Sequence, residues 1–275
     1  MPESPEVQVL AEFLAERLAG RRVDEVDLIE FRSLKTRARP LSSLVGAEVE
    51  GAARYGKHVD LQLSAGHLVV TLGRHGWIRW NDAPPGDLEP DSPPALATLA
   101  FDDGGVLEAT DAGDWVSLGV SVVDAASEVP AIAKLGPDPA DESFSRADFD
   151  RAVVGRRKQI KAILQEQESL SGIGNAYSDE ILHAAKVSPV AHAATLDGRA
   201  LDRVYDETIG VVRGAIAARR GIPIHELKAA KTAAMRVHGR AGEACPVCGD
   251  TIREFRFAST TAEYCPTCQT GGVEL

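Results

Sequence analysis

Residues 245–268 read CPVCGDTIREFRFASTTAEYCPTC. Cys245 and Cys248 form one C-x2-C pair, Cys265 and Cys268 form a second, and sixteen residues separate the pairs. Each knuckle offers two sulfurs to one ion, and the β-compatible runs at 251–257 and 262–264 can fold back as a hairpin. Two disulfides are a competing reading, which a cytosolic chain disfavours. A thioredoxin-like redox pair is another, but it needs one C-x-x-C on a βα unit rather than two in tandem. The spacing predicts one structural Zn2+ on Cys245, Cys248, Cys265 and Cys268. Four protein ligands leave that ion no open position for catalysis.

Upstream of this module the periodicity is helical, with helices predicted over 146–154, 158–167, 175–185, 199–219 and 225–231. Ser171-Gly172-Ile173-Gly174-Asn175 joins two of them. Glycines before a helix start let backbone N–H groups and the helix dipole face an anion. The same turn serves equally as a tight helix–helix connection. Pro137 and Pro139 break structure near 135–144. Before them, short β-like runs fill 23–124. KHVDLQL (57–63) and HLVVTLG (67–73) are two such runs, separated by Ser64, Ala65 and Gly66, and ATLAFDD and VLEATD flank Gly104 and Gly105 as a hairpin. Residues 81–94 are a Pro- and Asp-rich loop. Residues 5–18 read as a helix with Val7, Leu10, Leu14 and Leu18 on one face and Gly20 as its stop. The class is α+β: a β-rich part, a helical part, then a small metal-held module.

The 275 residues are 44% hydrophobic and 26% charged, which is enough apolar chain for a real core. No uncharged apolar run of about 18 residues exists, so no membrane span is expected. The start has neither the basic nor the apolar region of a secretory signal, which makes the cytoplasm the default address. A net charge of −11 argues, as a total, against a nucleic-acid partner. Divided, it does not. Residues 1–81 are net 0, residues 82–150 are −14, and residues 151–275 are +3. Within the last part, 213–256 carries nine Lys and Arg against four Asp and Glu. Such blocks suggest a polarised surface, and basic flanks around a zinc ribbon favour a nucleic-acid reader.

MPESPEV at the start, Arg54-Tyr55-Gly56-Lys57, LGPDP at 135–139, SGIGNAYSDEIL at 171–182 and the four-cysteine module occur in this order. Together they resemble the formamidopyrimidine-DNA glycosylase/endonuclease VIII (Fpg/Nei) family over nearly the whole chain. The resemblance implies an N-terminal β-sandwich catalytic domain with a leading helix (1–134). A helix–two-turn–helix DNA-binding domain (135–232) and a C4 zinc-finger hairpin (233–275) follow. It implies a monomeric base-excision DNA glycosylase and AP lyase, cytoplasmic or nucleoid-associated in a bacterium, acting on damaged or abasic DNA. Loss of Met1 leaves Pro2 with a free amine, which titrates near ~8 rather than the ~10.4 of lysine and is a competent nucleophile. By resemblance, Glu3 is the acid/base partner, Glu6 a supporting carboxylate, Lys57 a phosphate and substrate ligand, and Asn175 a phosphate clamp.

Three departures from the family stand out. Thr260 occupies the finger position, five residues before Cys265, where the family carries an arginine; Arg256 is the nearby substitute. Leu72-Gly73-Arg74-His75-Gly76 puts Arg74 where the Fpg branch has a void-filling methionine. Asp111-Ala112-Gly113-Asp114-Trp115 lacks the opposite-base arginines and ends on Trp115, so Arg74 and Trp115 are the candidates to stack in the gap. Finally, 82–150 is strongly acidic, which predicts salt-sensitive DNA binding of modest strength. These departures keep open an alternative, a damage-binding protein with little or no catalysis on the same scaffold.

Overall fold

The computed structural model describes residues 1–83, 92–257 and 260–275, without the side chains of Phe257 and Thr260. Most of the loop read at 81–94, and residues 258–259 beside Thr260, lie outside the described residues. The chain divides into two compact units. Unit 1 comprises Met1–Pro2, Glu6–Lys134 and Pro223–His225, and unit 2 comprises Glu3–Pro5, Leu135–Ile222 and Glu226–Leu275.

Unit 1 is built from β-branched and alternating runs, as read. Its strands are β1 (Val23–Leu28), β2 (Val49–Tyr55), β3 (His58–Leu63), β4 (Gly66–Thr71), β5 (Gly76–Asn81), β6 (Ala95–Phe101), β7 (Val106–Asp111) and β8 (Gly119–Val123). They form two antiparallel four-stranded sheets, β1-β6-β7-β5 and β2-β3-β4-β8. The predicted hairpin is present, with Leu99 facing Leu107 across β6 and β7; β3 and β4 pair as well, with Leu61 opposite Leu68. Leu61, Leu68, Val70, Leu99, Leu107 and Val120 are among the core residues. Helix α1 (Ser4–Leu18) buries Val7, Leu10, Leu14 and Leu18 as predicted, and Gly20 follows it in the left-handed region at φ +78°. Its beginning is not amphipathic, because Glu3, Ser4 and Glu6 are buried as well. A short helix α2 (Pro130–Ala133) closes this part of the chain.

Unit 2 carries α3 (Arg146–Val153), α4 (Ile160–Leu164), α5 (Asn175–Ala184), α6 (Gly198–Arg219) and α7 (Leu227–Ala234). After them come the hairpin β9 (Arg253–Phe257) and β10 (Thr260–Tyr264), and α8 (Pro266–Gln269). α3 starts on a capping box between Ser145 and Asp148. Phe149, Ile163, Leu164, Leu170, Ile173, Tyr177, Ile181 and Val204 belong to one core. α5 lies inside this unit, with every residue from Ala176 to His183 buried, and β10 and α8 pack on it. Two predicted helices differ from what is observed. α4 is shorter than 158–167, because Gln159 is held in an isolated bridge to His192 before it, and 165–174 is a hydrogen-bonded turn after it. α7 starts later than predicted and runs to Ala234, which puts Lys231 inside it. No helix among the described residues is long and apolar enough to cross a membrane.

His58 on β3 is buried, with Nδ1 2.8 Å from Thr71 Oγ1 on β4. Burial, and then the charge of Lys57, push its imidazole from the ordinary 6.5 down to about 4. The folded protein therefore holds the neutral ring while the unfolded chain takes up a proton. The resulting stability is complete above pH ~6.5 and is lost as pH falls toward ~4, a change of about 3 kcal/mol. Denaturant unfolding of wild type and His58→Gln across that window is expected to show their stability difference falling by about 3 kcal/mol. Parallel pH curves assign the loss to other groups.

Candidate functional site

The glycine turn between α4 and α5 is held from within. Gln167 Nε2 donates to the carbonyls of Gln165 (2.9 Å) and Ile173 (2.8 Å), and Gln167 Oε1 accepts from Gly172 N–H (3.0 Å). Gly172 sits at φ +86°, and a Cβ there would stand 2.6 Å from Ser4 Cβ, so only glycine fits. Ser4 N–H donates to the Gly172 carbonyl at 2.9 Å. This contact brings Glu3 to the start of α5, whose own N-cap residue, Gly174, has no side chain to offer. The Glu3 carboxylate accepts from Gly174 N–H, from Ala176 N–H (3.1 Å) and from Tyr177 N–H (3.4 Å). Lys231 Nζ donates to Glu3 Oε1 at 3.0 Å. The anion that a glycine turn and helix dipole attract is here the chain's own carboxylate, 1% exposed. Asn175 opens α5, half-buried, and its Oδ1 accepts from Gln165 Nε2 at 3.1 Å.

A second buried polar group lies against α5. Lys161 is fully buried, and its Nζ donates to Asp179 Oδ1 (2.6 Å), Ser178 Oγ (2.8 Å) and the Asn175 carbonyl (3.1 Å). Burial pushes the Lys161 ammonium down, with Asp179 pulling against it. Asp179 Oδ2 lies 2.8 Å from His238 Nδ1, which in turn lies 3.1 Å from Glu263 Oε2 on β10. Burial raises the Glu263 carboxyl above the usual range, opposed by the Gly239 N–H that donates to it. Glu180 accepts the backbone N–H groups of Arg236, Val237 and His238. These bonds fasten α5 to the segment entering the finger and to its second strand.

The four predicted thiols come together, with all four Sγ atoms within 4.8 Å of one another. Cys245 and Cys268 Sγ are 3.9 Å apart, and Cys248 and Cys265 Sγ are 3.3 Å apart. A tetrahedral zinc with ~2.3 Å arms needs edges of about 3.8 Å, so the donor set fits that ion. The cysteines are not bridged by disulfides. His183 Nε2 lies 3.3 Å from Cys245 Sγ, an outer partner of the kind that orients a metal ligand.

The remaining predicted residues are in unit 1 or on the finger. Pro2 and Glu6 are buried. Lys57 is half-buried at the β2–β3 turn, which Arg54 ties to Gln8 of α1 at 2.8 Å. Arg74 and Trp115 are exposed on two loops joined by Asp111 and Ser117. Ser117 Oγ accepts the N–H of Arg74 (3.0 Å) and of His75 (3.2 Å). Asp111 accepts the N–H groups of Gly113, Ser117 and Leu118, and the Ser117 hydroxyl. Burial pushes the Asp111 carboxyl up, but these donors outweigh it and hold it low. Arg256 is exposed and pairs with Glu254 on its own strand at 2.8 Å. Sequence reasoning missed Lys231, Lys161, Asp179, His238 and Glu263. Lys161 was the detectable one, a lysine between apolar residues of a buried helix.

Three family profiles match in order. "Formamidopyrimidine-DNA glycosylase N-terminal domain" covers residues 1–114, "Formamidopyrimidine-DNA glycosylase H2TH domain" covers 135–225, and "Zinc finger found in FPG and IleRS" covers 242–271. The formamidopyrimidine-DNA glycosylase of Geobacillus kaustophilus is 30% identical over 98% of this chain and 100% of its own length. An uncharacterized formamidopyrimidine-DNA glycosylase-like protein of Mycobacterium tuberculosis is 44% identical over 146 residues, 53% of this chain and 91% of that one. A crystal structure of Lactococcus lactis Fpg in complex with a FAPY-dG containing DNA superposes with a TM-score of 0.86 at 25% identity, covering 98% of this chain and 100% of that one. A second Lactococcus lactis Fpg structure, with an abasic site containing DNA, gives the same TM-score and identity over 98% and 99%. With an end-to-end relative, three profiles in sequence and one shared fold, this chain belongs to the formamidopyrimidine-DNA glycosylase family.

Proposed function

We propose that Pro2 and Glu3 carry the chemistry of this base-excision DNA glycosylase and AP lyase. The observation that carries the assignment is the Glu3 carboxylate seated on four donors at the start of α5, one residue after the candidate nucleophile. Hydrogen bonds to the charged form keep a carboxylate ionised. Glu3 therefore begins as a base. Once Met1 is removed, Glu3 takes the proton from the Pro2 ammonium. The freed amine attacks C1′, and the damaged base departs with the electron pair of the glycosidic bond and takes up the remaining N–H proton of the attacking amine, leaving a neutral aminal. Glu3 returns the proton to the ring oxygen as the sugar opens to an iminium. Loss of a C2′ proton then expels the 3′ phosphate, and water releases Pro2.

Lys57 and Asn175 are assigned to phosphates around the everted nucleotide, and Glu6 supports the carboxylate chemistry. The fixed Asp111–Ser117 corner presents Arg74 and Trp115, which we assign to the space left in the duplex. Arg256 exchanges Glu254 for a phosphate, partly replacing the arginine missing at position 260. The four cysteines hold one structural zinc ion that folds the finger and takes no part in bond breaking. The functional parts are assigned to 1–134, 135–232 and 233–275, in a monomer working on DNA in the cytoplasm.

Sodium borohydride is expected to trap a covalent adduct between the chain and abasic-site duplex, and Pro2→Gly and Glu3→Gln are expected to abolish it. A full adduct yield from Pro2→Gly overturns the nucleophile. Trp115→Ala is expected to weaken lesion-duplex binding about tenfold, in line with ~1–3 kcal/mol per stacked ring, without changing trapping on single-stranded abasic DNA. Equal loss on both substrates rules out a gap-filling role. One zinc per chain is expected by elemental analysis. Cys248→Ser is expected to lose that zinc and most DNA affinity; retention of both removes the finger from DNA binding.

A further inference from the structure

α7 delivers a lysine to a place where a surface helix has little reason to send one. Lys228 on the same helix is exposed, whereas the Lys231 side chain is 11% exposed. Its Nζ stands 3.0 Å from Glu3 Oε1 and 4.9 Å from the centroid of the Tyr177 ring. Tyr177 thus serves the pair twice, with its ring beside the ammonium and its N–H on Glu3 Oε2. Each oxygen of Glu3 has a defined set of donors. Oε2 takes Gly174 and Tyr177, while Oε1 takes Ala176 and Lys231.

We propose that Lys231 is a positioning residue for the strand-cleavage reaction, fixing the orientation and the negative charge of the Glu3 carboxylate. The inference rests on the reading of Glu3 as the proton carrier. Three N–H groups orient the carboxylate, but they are partial charges. Lys231 adds a whole charge at contact distance in a site shielded from water, where an ion pair is strengthened and an unpaired carboxylate is costly. Other charged groups act on Glu3 from neighbouring elements. Lys161 of α4 senses its charge, and Asp179 of α5 and Glu263 of β10 face Lys161 in turn. Lys231 is the member that bonds Glu3 directly from α7. An enzyme whose base must be ionised before attack, and must regain a proton during ring opening, needs that charge held constant over the working pH range.

The test is single-turnover borohydride trapping on abasic-site duplex from about pH 5 to 9, using the full-length, zinc-loaded protein. In wild type the logarithm of the rate falls with pH as the Pro2 amine becomes protonated. It falls more steeply below the point where Glu3 also takes a proton. Lys231→Gln is expected to move that break upward by about one pH unit, lowering the rate roughly tenfold at its acid end, with little change near pH 8. Lys231→Arg, which keeps the charge, is expected to track wild type. Zinc content and thermal melting report whether each variant is folded, and Lys231→Met supplies a second neutral variant. A break that stays in place in both neutral variants overturns the proposal. So does an arginine variant that behaves like them, because the side chain then matters by packing. Glu3→Gln trapping as fast as wild type overturns the role of Glu3 itself, and is distinguished from the other outcomes by that variant alone.

Discussion

The Glu3 carboxylate, bound to the free N–H groups at the start of α5, is the interaction on which the rest of this molecule is arranged. A helix begins with unsatisfied N–H donors, and α5 begins with them buried. No residue beside them in the sequence supplies a cap. The acceptor comes from some 170 residues away. Removing it strands buried donors, at ~1–3 kcal/mol for each uncompensated group, so the N-terminal segment and the glycine turn are ordered together or not at all. Gly172 is the steric condition for that meeting, because any larger residue displaces Ser4.

A carboxylate at one end of α5 is matched by polar and ionisable groups along its side. Lys161, Asp179, His238 and Glu263 follow one another in contact from the helical core out to the finger hairpin, and Glu180 collects the backbone just before it. Such a set is costly to bury and offers weak net stability compared with apolar packing. Its effect is geometric: each member has its partners at one arrangement only. The finger is therefore fastened to α5 through polar contacts that punish misplacement, in addition to its own small cluster of Val237, Cys245, Ile252 and Cys265.

The parts of this arrangement that were legible in the sequence are those encoded locally. α1, α5 and the β6–β7 hairpin follow from spacing and from Gly104–Gly105, and the thiol cluster follows from two knuckles. Pro2 and Glu3 came from a family resemblance, and spacing alone assigned neither of them. Lys231 read as one more charge in a basic run, because nothing local tells a lysine aimed at a carboxylate from one aimed at water. α4 was overdrawn since helical periodicity continues through Gln165 and Gln167. Their side chains instead bind the glycine turn and Asn175, a competition between local hydrogen bonding and helix that periodicity cannot weigh.

The same anchoring bears on Pro2, the proposed nucleophile. With Met1 removed, the Pro2 amine is the end of the chain, covalently tied to the residue that follows it. Consecutive Cα atoms lie ~3.8 Å apart across a trans peptide. Glu3 is fixed on α5 by its carboxylate and Ser4 on Gly172 by its N–H, so Pro2 is one peptide bond from an anchored residue. A terminal amine is ordinarily the most mobile group of a chain. Here the two residues after the proposed amine are bonded to the glycine turn and the start of α5, which favours preorganisation of that amine. The glycine turn thus has a purpose beyond joining two helices. Its N–H groups hold the carboxylate proposed as the acid/base group, one residue from the proposed nucleophile.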